Sequence, residues 1–231
     1  MKATLPALAG ASVLSAYAAL QVLGRTSGST PAERRAALPG DALVPDAHLV
    51  TDHAVNVAAS PDQVWPWLAQ MGWHLGGYYT PRWVDRLMFP DNRPSLDHLD
   101  PMLVRDLGPG DVIPDGPPGT AAYVVVEAEA PHLLLLHSTT HVPPGWGERY
   151  GARISWTWCF LLTATAGGTR LHTRVRGHMQ PRWFAAFYVA TIVPADHLMA
   201  TGMLRGIRCR AEESACRARL QPDPTSPVPR G

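Results

Sequence analysis

The run RISWTWCFLLTATAGGTRLHTRVRGHM, residues 153–179, reads as two long strands joined by a tight turn. Ile154, Trp156, Trp158 and Phe160 fall at every second position, the spacing that places side chains on one face of a strand. Gly167-Gly168 supplies the hairpin turn. Beyond it Leu171, Thr173 and Val175 share one face, and Arg170, His172, Arg174 and Arg176 share the other. Strands with one apolar and one polar face belong to an antiparallel sheet covered on one side. The arginine face is expected to be solvated, with carboxylate partners.

The covering layer is expected from the sequence that follows. Pro181 opens an apolar segment, PRWFAAFYVATIV. Pro194 is expected to kink or restart the helix, because it lacks an N–H and clashes with the preceding turn. From Ala195 to about Arg219, Met199, Met203, Ile207 and Ala211 recur at helical spacing with Gly202 and Gly206 beside them.

Upstream, residues 49–58 carry a strand pattern with Val50, Val55 and Val57. Ser60-Pro61 opens a short helix striped by Val64, Trp65 and Leu68. A second short helix is predicted over Pro81 to Met88, with Trp83, Val84 and Leu87 inward. Residues 89–109 read as an irregular crossing loop. Short strands follow at Gly110 to Ile113, Ala121 to Ala130 and Leu133 to Ser138, and 142–151 reads as a loop. The class is therefore α+β: a curved antiparallel β-sheet with two short helices and a long C-terminal helix over a cavity.

The ends differ from this domain. Residues 1–24 form a hydrophobic segment without a charge from Ala3 to Gly24, long enough to span a bilayer. It is expected to be a membrane anchor with the domain on the cytoplasmic side. The alternative is a signal sequence cleaved after Ala16-Tyr17-Ala18, releasing a secreted domain. Residues 25–48 mix Pro, Gly, Ser and charge and read as a linker. Residues 49–219 are the folded domain and 220–231 a disordered tail.

The formal net charge is +1 over 231 residues, so no basic field draws nucleic acid. Cys159, Cys209 and Cys216 lack the spacing of a disulfide framework or zinc site. No histidine pair has metal-ligand spacing, and no glycine-rich phosphate loop or nucleophile elbow is present. Neither metal nor cofactor is expected.

ASPDQVWPWLAQMGWHLGGYYTPRWVD (59–85) resembles the opening strand and helices of START-like proteins of the SRPBCC superfamily. LGPGDVIPDGP (107–117) is similar to their Gly-Asp-x-x-Pro segment. SWTWCFLL (155–162), GGTRLHTRVR (167–176) and MLRGIRCRAE (203–212) resemble their late strands and closing helix. The resemblance implies a helix-grip fold with an internal cavity, in a superfamily of lipid and sterol carriers, polyketide aromatase/cyclases and hormone receptors. It transfers no catalytic residue.

The candidate ligand contacts are Trp73, Tyr78, Tyr79, Trp83, His137, Trp156, Trp158, Met199 and Met203. Aromatic faces stack on flat ligands and methionine adapts to varied ones. The expected activity is binding or carriage of a hydrophobic small molecule: lipid-like, sterol-like or polycyclic. The alternative is a polyketide cyclase or aromatase-like enzyme, for which His137, His178 and Asp196 are the nominees as acid or base.

Overall fold

The computed structural model describes residues 5–220. The sequence alternation at 153–179 becomes β5 (Arg153–Thr165) and β6 (Gly168–Gln180), paired antiparallel from Arg153↔Gln180 to Thr165↔Gly168. With β1 (Leu49–Val57), β2 (Val112–Pro114), β3 (Ala122–Glu129) and β4 (Leu133–Ser138) they form one sheet in the order β1-β6-β5-β4-β3-β2. All pairings are antiparallel. Two short helices, α3 (Pro61–Ala69) and α4 (Arg82–Met88), follow β1, and the long helix α6 (Arg182–Leu220) follows β6. This is the helix-grip α+β arrangement.

Register sorts the two faces. Val57, Phe160, Leu162, Leu171, Leu134 and Leu136 point to the helical side. There they join Trp67 and Leu68 of α3 and Met203, Leu204 and Ile207 of α6 in one core. Ser60 and Gln63 form a capping box that starts α3. Gly202 and Gly206 let the chain before α4 approach α6. A Cβ on Gly206 would lie 2.1 Å from the Tyr79 carbonyl oxygen, and one on Gly202 2.5 Å from Pro81.

Three expectations are corrected. First, α6 does not restart at Pro194 but runs through it as one helix. Proline leaves the carbonyl four residues earlier without its helical donor, and that carbonyl, Ala190, accepts from the Tyr17 hydroxyl at 2.8 Å. Tyr17 lies on α1 (Leu5–Thr26), which packs along α6. Gln21 Nε2 donates to the Val189 carbonyl, and Ser27 Oγ meets His197 Nδ1 at 2.9 Å. Gly24 makes the contact close, since a Cβ there would lie 2.0 Å from the Val193 oxygen.

Second, the arginine face of β6 is covered, not solvated. The segment read as a linker lies across it, with a helical turn α2 (Pro31–Arg35) capped by Thr30 and Glu33. Arg174 is 4% exposed and donates to Asp52, Asp41 and the carbonyls of Glu33 and Ala36. Arg170 pairs with Glu33, and Arg176 donates to the Val44 and Pro45 carbonyls. The composition that suggested a linker also supplies the carbonyls and carboxylates that saturate guanidinium groups.

Third, α4 turns Val84 inward but leaves Trp83 and Leu87 exposed. A five-residue helix, α5 (Trp146–Tyr150), occupies part of the expected 142–151 loop. Of the predicted tail, residues 221–231 lie outside the described residues, as do residues 1–4.

Candidate functional site

The concave row of β5 is uneven. Ile154, Phe160 and Leu162 are buried, yet Trp156 and Trp158 between them remain partly open to solvent. Tryptophan is rarely buried in full, so this partial accessibility marks a shallow notch in the row and not by itself an enclosed cavity.

Aromatic side chains from five segments border it. Trp158 stacks on Tyr78, with centroids 6.2 Å apart and planes at 14°. It also meets Tyr123 of β3 at 5.4 Å. Tyr123 lies 4.6 Å from His141, and His141 stacks on Trp156 at 6.4 Å. Trp156 meets Tyr188 of α6 edge-on at 5.5 Å. Trp158 is fixed by its indole N–H, which donates to Thr173 Oγ1 at 2.7 Å.

Polar groups occupy both ends of this wall. At one end His141 Nε2 meets Asp115 Oδ2 at 2.8 Å and Nδ1 meets Ser138 Oγ at 2.7 Å. The Tyr78 hydroxyl donates to the Pro114 carbonyl beside them. At the other end His53 Nε2 meets Asp196 Oδ2 at 3.2 Å. His53 is 1% exposed and lies opposite Thr173 on the concave face.

Several buried donors and acceptors here have no hydrogen-bond partner: Thr51 Oγ1 and His53 Nδ1 on the concave side, and Arg105 Nε and Nη2 in the loop before β2; the Trp156 N–H, by contrast, is directed at the Tyr123 hydroxyl. Buried polar atoms are almost always paired, so such a group points to a missing partner.

Burial raises the phenol pKa of Tyr78 and Tyr123 well above the usual tyrosine range, and the Asp115 carboxylate adds to both shifts. Arg105 opposes the rise at Tyr78, and the Trp156 N–H opposes it at Tyr123. Burial, with Asp115 and Asp196, pushes Tyr188 up to about 12. All three phenols are neutral near pH 7.

The predicted contacts divide. Tyr78, Trp156 and Trp158 come together in the wall. Trp73 is buried but packs against His74 and Phe89. Tyr79 is 1% exposed, with its hydroxyl on the Trp67 carbonyl and Arg210 5.2 Å from its ring centroid, so it clamps the core. Trp83 faces solvent and Met203 is core, while Met199 is half-buried on α6. His137 pairs with Thr157 and bonds to Ser155, which puts it on the opposite face of the sheet from Trp156 and Trp158. His178 also lies on that face, with Nδ1 on the Asp46 carbonyl. Asp196 does face the site.

His53, Arg105, Asp115, Tyr123, His141 and Tyr188 were not nominated from sequence. Asp115 sat within the quoted IPDGP segment, where a signal existed. A lone histidine on a strand gives none until its carboxylate partner arrives from a distant helix.

Two concavities of about 360 Å³ lie elsewhere. One is bordered by Arg82, Asp85, Arg86 and Phe89, the other by Ser60, Gln63, Thr165 and Arg219. Neither touches the aromatic wall. Among the described residues no group of three or more His, Cys, Asp or Glu side chains is placed to hold a metal ion.

No family model matches the chain, and no curated protein matches it. Solved structures are similar in fold. A Mesorhizobium loti protein shares 12% identity over 72% of this chain and 98% of its own, with a TM-score of 0.43. A norcoclaurine synthase of Thalictrum flavum shares 16% over 72% and 95%, with a TM-score of 0.42. The di-domain ARO/CYC StfQ from the steffimycin biosynthetic pathway shares 17% over 73% and 53%, with a TM-score of 0.41. At such identities and scores, what those proteins bind says nothing of this chain, whose own residues must carry the functional reading.

Proposed function

We propose that this chain binds a flat, largely apolar ring molecule bearing oxygen functions, held between the concave face and α6. The observation that carries the reading is the half-open Trp156–Trp158 pair inside an otherwise sealed row, ringed by polar atoms that lack partners. The rings supply affinity, at about 25 cal/mol for each Å² of apolar surface removed from water. Thr51, His53 and Arg105 supply orientation through hydrogen bonds to the ligand's edges. A wholly hydrocarbon lipid fits less well, because it would leave those atoms unpaired at about 1–3 kcal/mol each.

Mass spectrometry of the full chain, extracted gently from its own host and then denatured, tests the reading. The expected result is a stoichiometric ring compound, lost in Trp156→Ala. An empty protein that also binds none of a panel of polycyclic phenols and quinones would overturn it.

One observation favours a second, cyclase-like reading. With Asp196 accepting from His53 Nε2–H, the free lone pair of Nδ1 is the arrangement of a general base. This reading expects ring closure of a linear poly-β-ketone mimic. Loss of turnover in His53→Phe with ligand binding retained would separate catalysis from carriage.

A further inference from the structure

Away from the notch, α1 and the first half of α6 form an apolar platform that the other described residues leave largely open. Their contacts ascend together, Tyr17 with Ala190, Gly24 with Val193, Ser27 with His197, so the helices run side by side in the same direction. On α6, Trp183 and Phe187 are each 47% exposed and Leu198 is 50% exposed. The positions 183, 187, 190, 191 and 198 lie on one outward stripe, without a charge from Trp183 to Ala195. On α1, Val13 and Leu14 are exposed as well. Among the described residues α6 is the helix long and apolar enough to cross a membrane, and only 22% of its most apolar stretch is buried.

The edge of the platform has interfacial chemistry. Trp146 packs against Trp183 at 5.8 Å and Phe187 at 5.9 Å, and Tyr150 meets Trp183 edge-on. Arg149 lies over the Tyr150 ring, 5.1 Å from its centroid, and Arg153 and Arg182, close to these rings in sequence, are exposed, as is the carboxylate of Glu148. Tryptophan and tyrosine at an apolar boundary with arginines beside them match the headgroup level of a membrane.

We infer that this platform lies in one leaflet of an anionic phospholipid bilayer, as a monotopic contact rather than a span. Tyr17, Gln21, Gly24 and Ser27 tie the second half of α1 to α6. What remains of α1 is too short for the ~20 residues that cross a bilayer. Paired amphipathic segments with an aromatic and arginine rim lie in the interface instead. A continuous row of rings, Trp146–Phe184–Tyr188–Trp156, leads from this surface to the notch. The membrane contact stands independently of what the notch binds.

The test is flotation of the full chain with phosphatidylcholine vesicles that contain phosphatidylglycerol, with brominated acyl chains as quenchers of tryptophan fluorescence. The wild-type chain floats and is quenched. Trp183→Ser with Phe187→Ser, both at exposed positions, lowers partitioning by about tenfold or more. Val13→Ser with Leu14→Ser does so from the other helix. Arg149→Glu with Arg182→Glu weakens binding to the anionic vesicles and leaves neutral ones unchanged. Undiminished flotation of both apolar variants would overturn the inference. So would a stable dimer that hides Trp183 and ignores vesicles.

Discussion

The two faces of the β1-β6-β5 sheet carry buried polar groups in opposite states. On the convex face Asp52 Oδ1 accepts from His172 Nε2 and Arg174 Nε, both at 2.8 Å. Three of the four remaining N–H groups of Arg174 donate to Asp41 and two carbonyls of the covering segment. On the concave face, one residue away along β1, Thr51 and His53 are equally buried and each has an atom without a partner. Satisfied buried networks fix a structure. Unsatisfied ones weaken it unless a ligand completes them, so the contrast separates scaffold from site within a single strand.

The largest effect should come from the convex face. Asp52→Ala leaves Arg174 buried with three of its four partners and without its buried carboxylate, and a loss of about 3–5 kcal/mol is expected in urea unfolding. A loss under a tenth of that would mean the covering segment does not hold the charge out of water.

The concave face should respond with the other sign. Thr51→Val keeps the shape and removes the unpaired Oγ1. It should raise the stability of the ligand-free chain by about 1 kcal/mol while weakening the ligand complex. A destabilised variant would show that Thr51 has a partner in solution and would remove it from the site.

The smallest effect is in the acid limb. Arg170 holds the Glu33 carboxylate down from 4.5 to about 2. A depressed folded pKa adds stability that is fully present above about pH 4.5 and fades as the pH falls towards 2. Glu33→Gln should flatten that part of the stability profile and leave the notch unchanged. An identical slope in both chains would show the pair to be screened by solvent.

Much of the fold was legible because it rests on local periodicity. The alternation of Ile154, Trp156, Trp158 and Phe160 against Leu171, Thr173 and Val175 set both strands and their faces. The site was legible only in part. Trp156, Trp158 and Tyr78 were found by residue type, since large rings on an inward face border any gap there. His137 was placed wrongly because one residue of register moves a strand side chain to the opposite face. The convex covering was missed because residues 25–48 have no periodicity of their own, and their order comes from arginines more than 130 residues away.

By itself, then, the sequence determined the order of the sheet strands and of α3, α4 and α6, the apolar face of β5 and β6 and the core stripe of α6, because nearest neighbours and spacing suffice for those. Only the tertiary structure decided which polar groups meet. Asp196 reaches His53 across 143 positions and Asp115 reaches His141 across 26. The Tyr17 hydroxyl takes the carbonyl that Pro194 leaves free. Hydrogen bonds act over about 3 Å in space regardless of separation along the chain, and no pattern in the sequence encodes that distance.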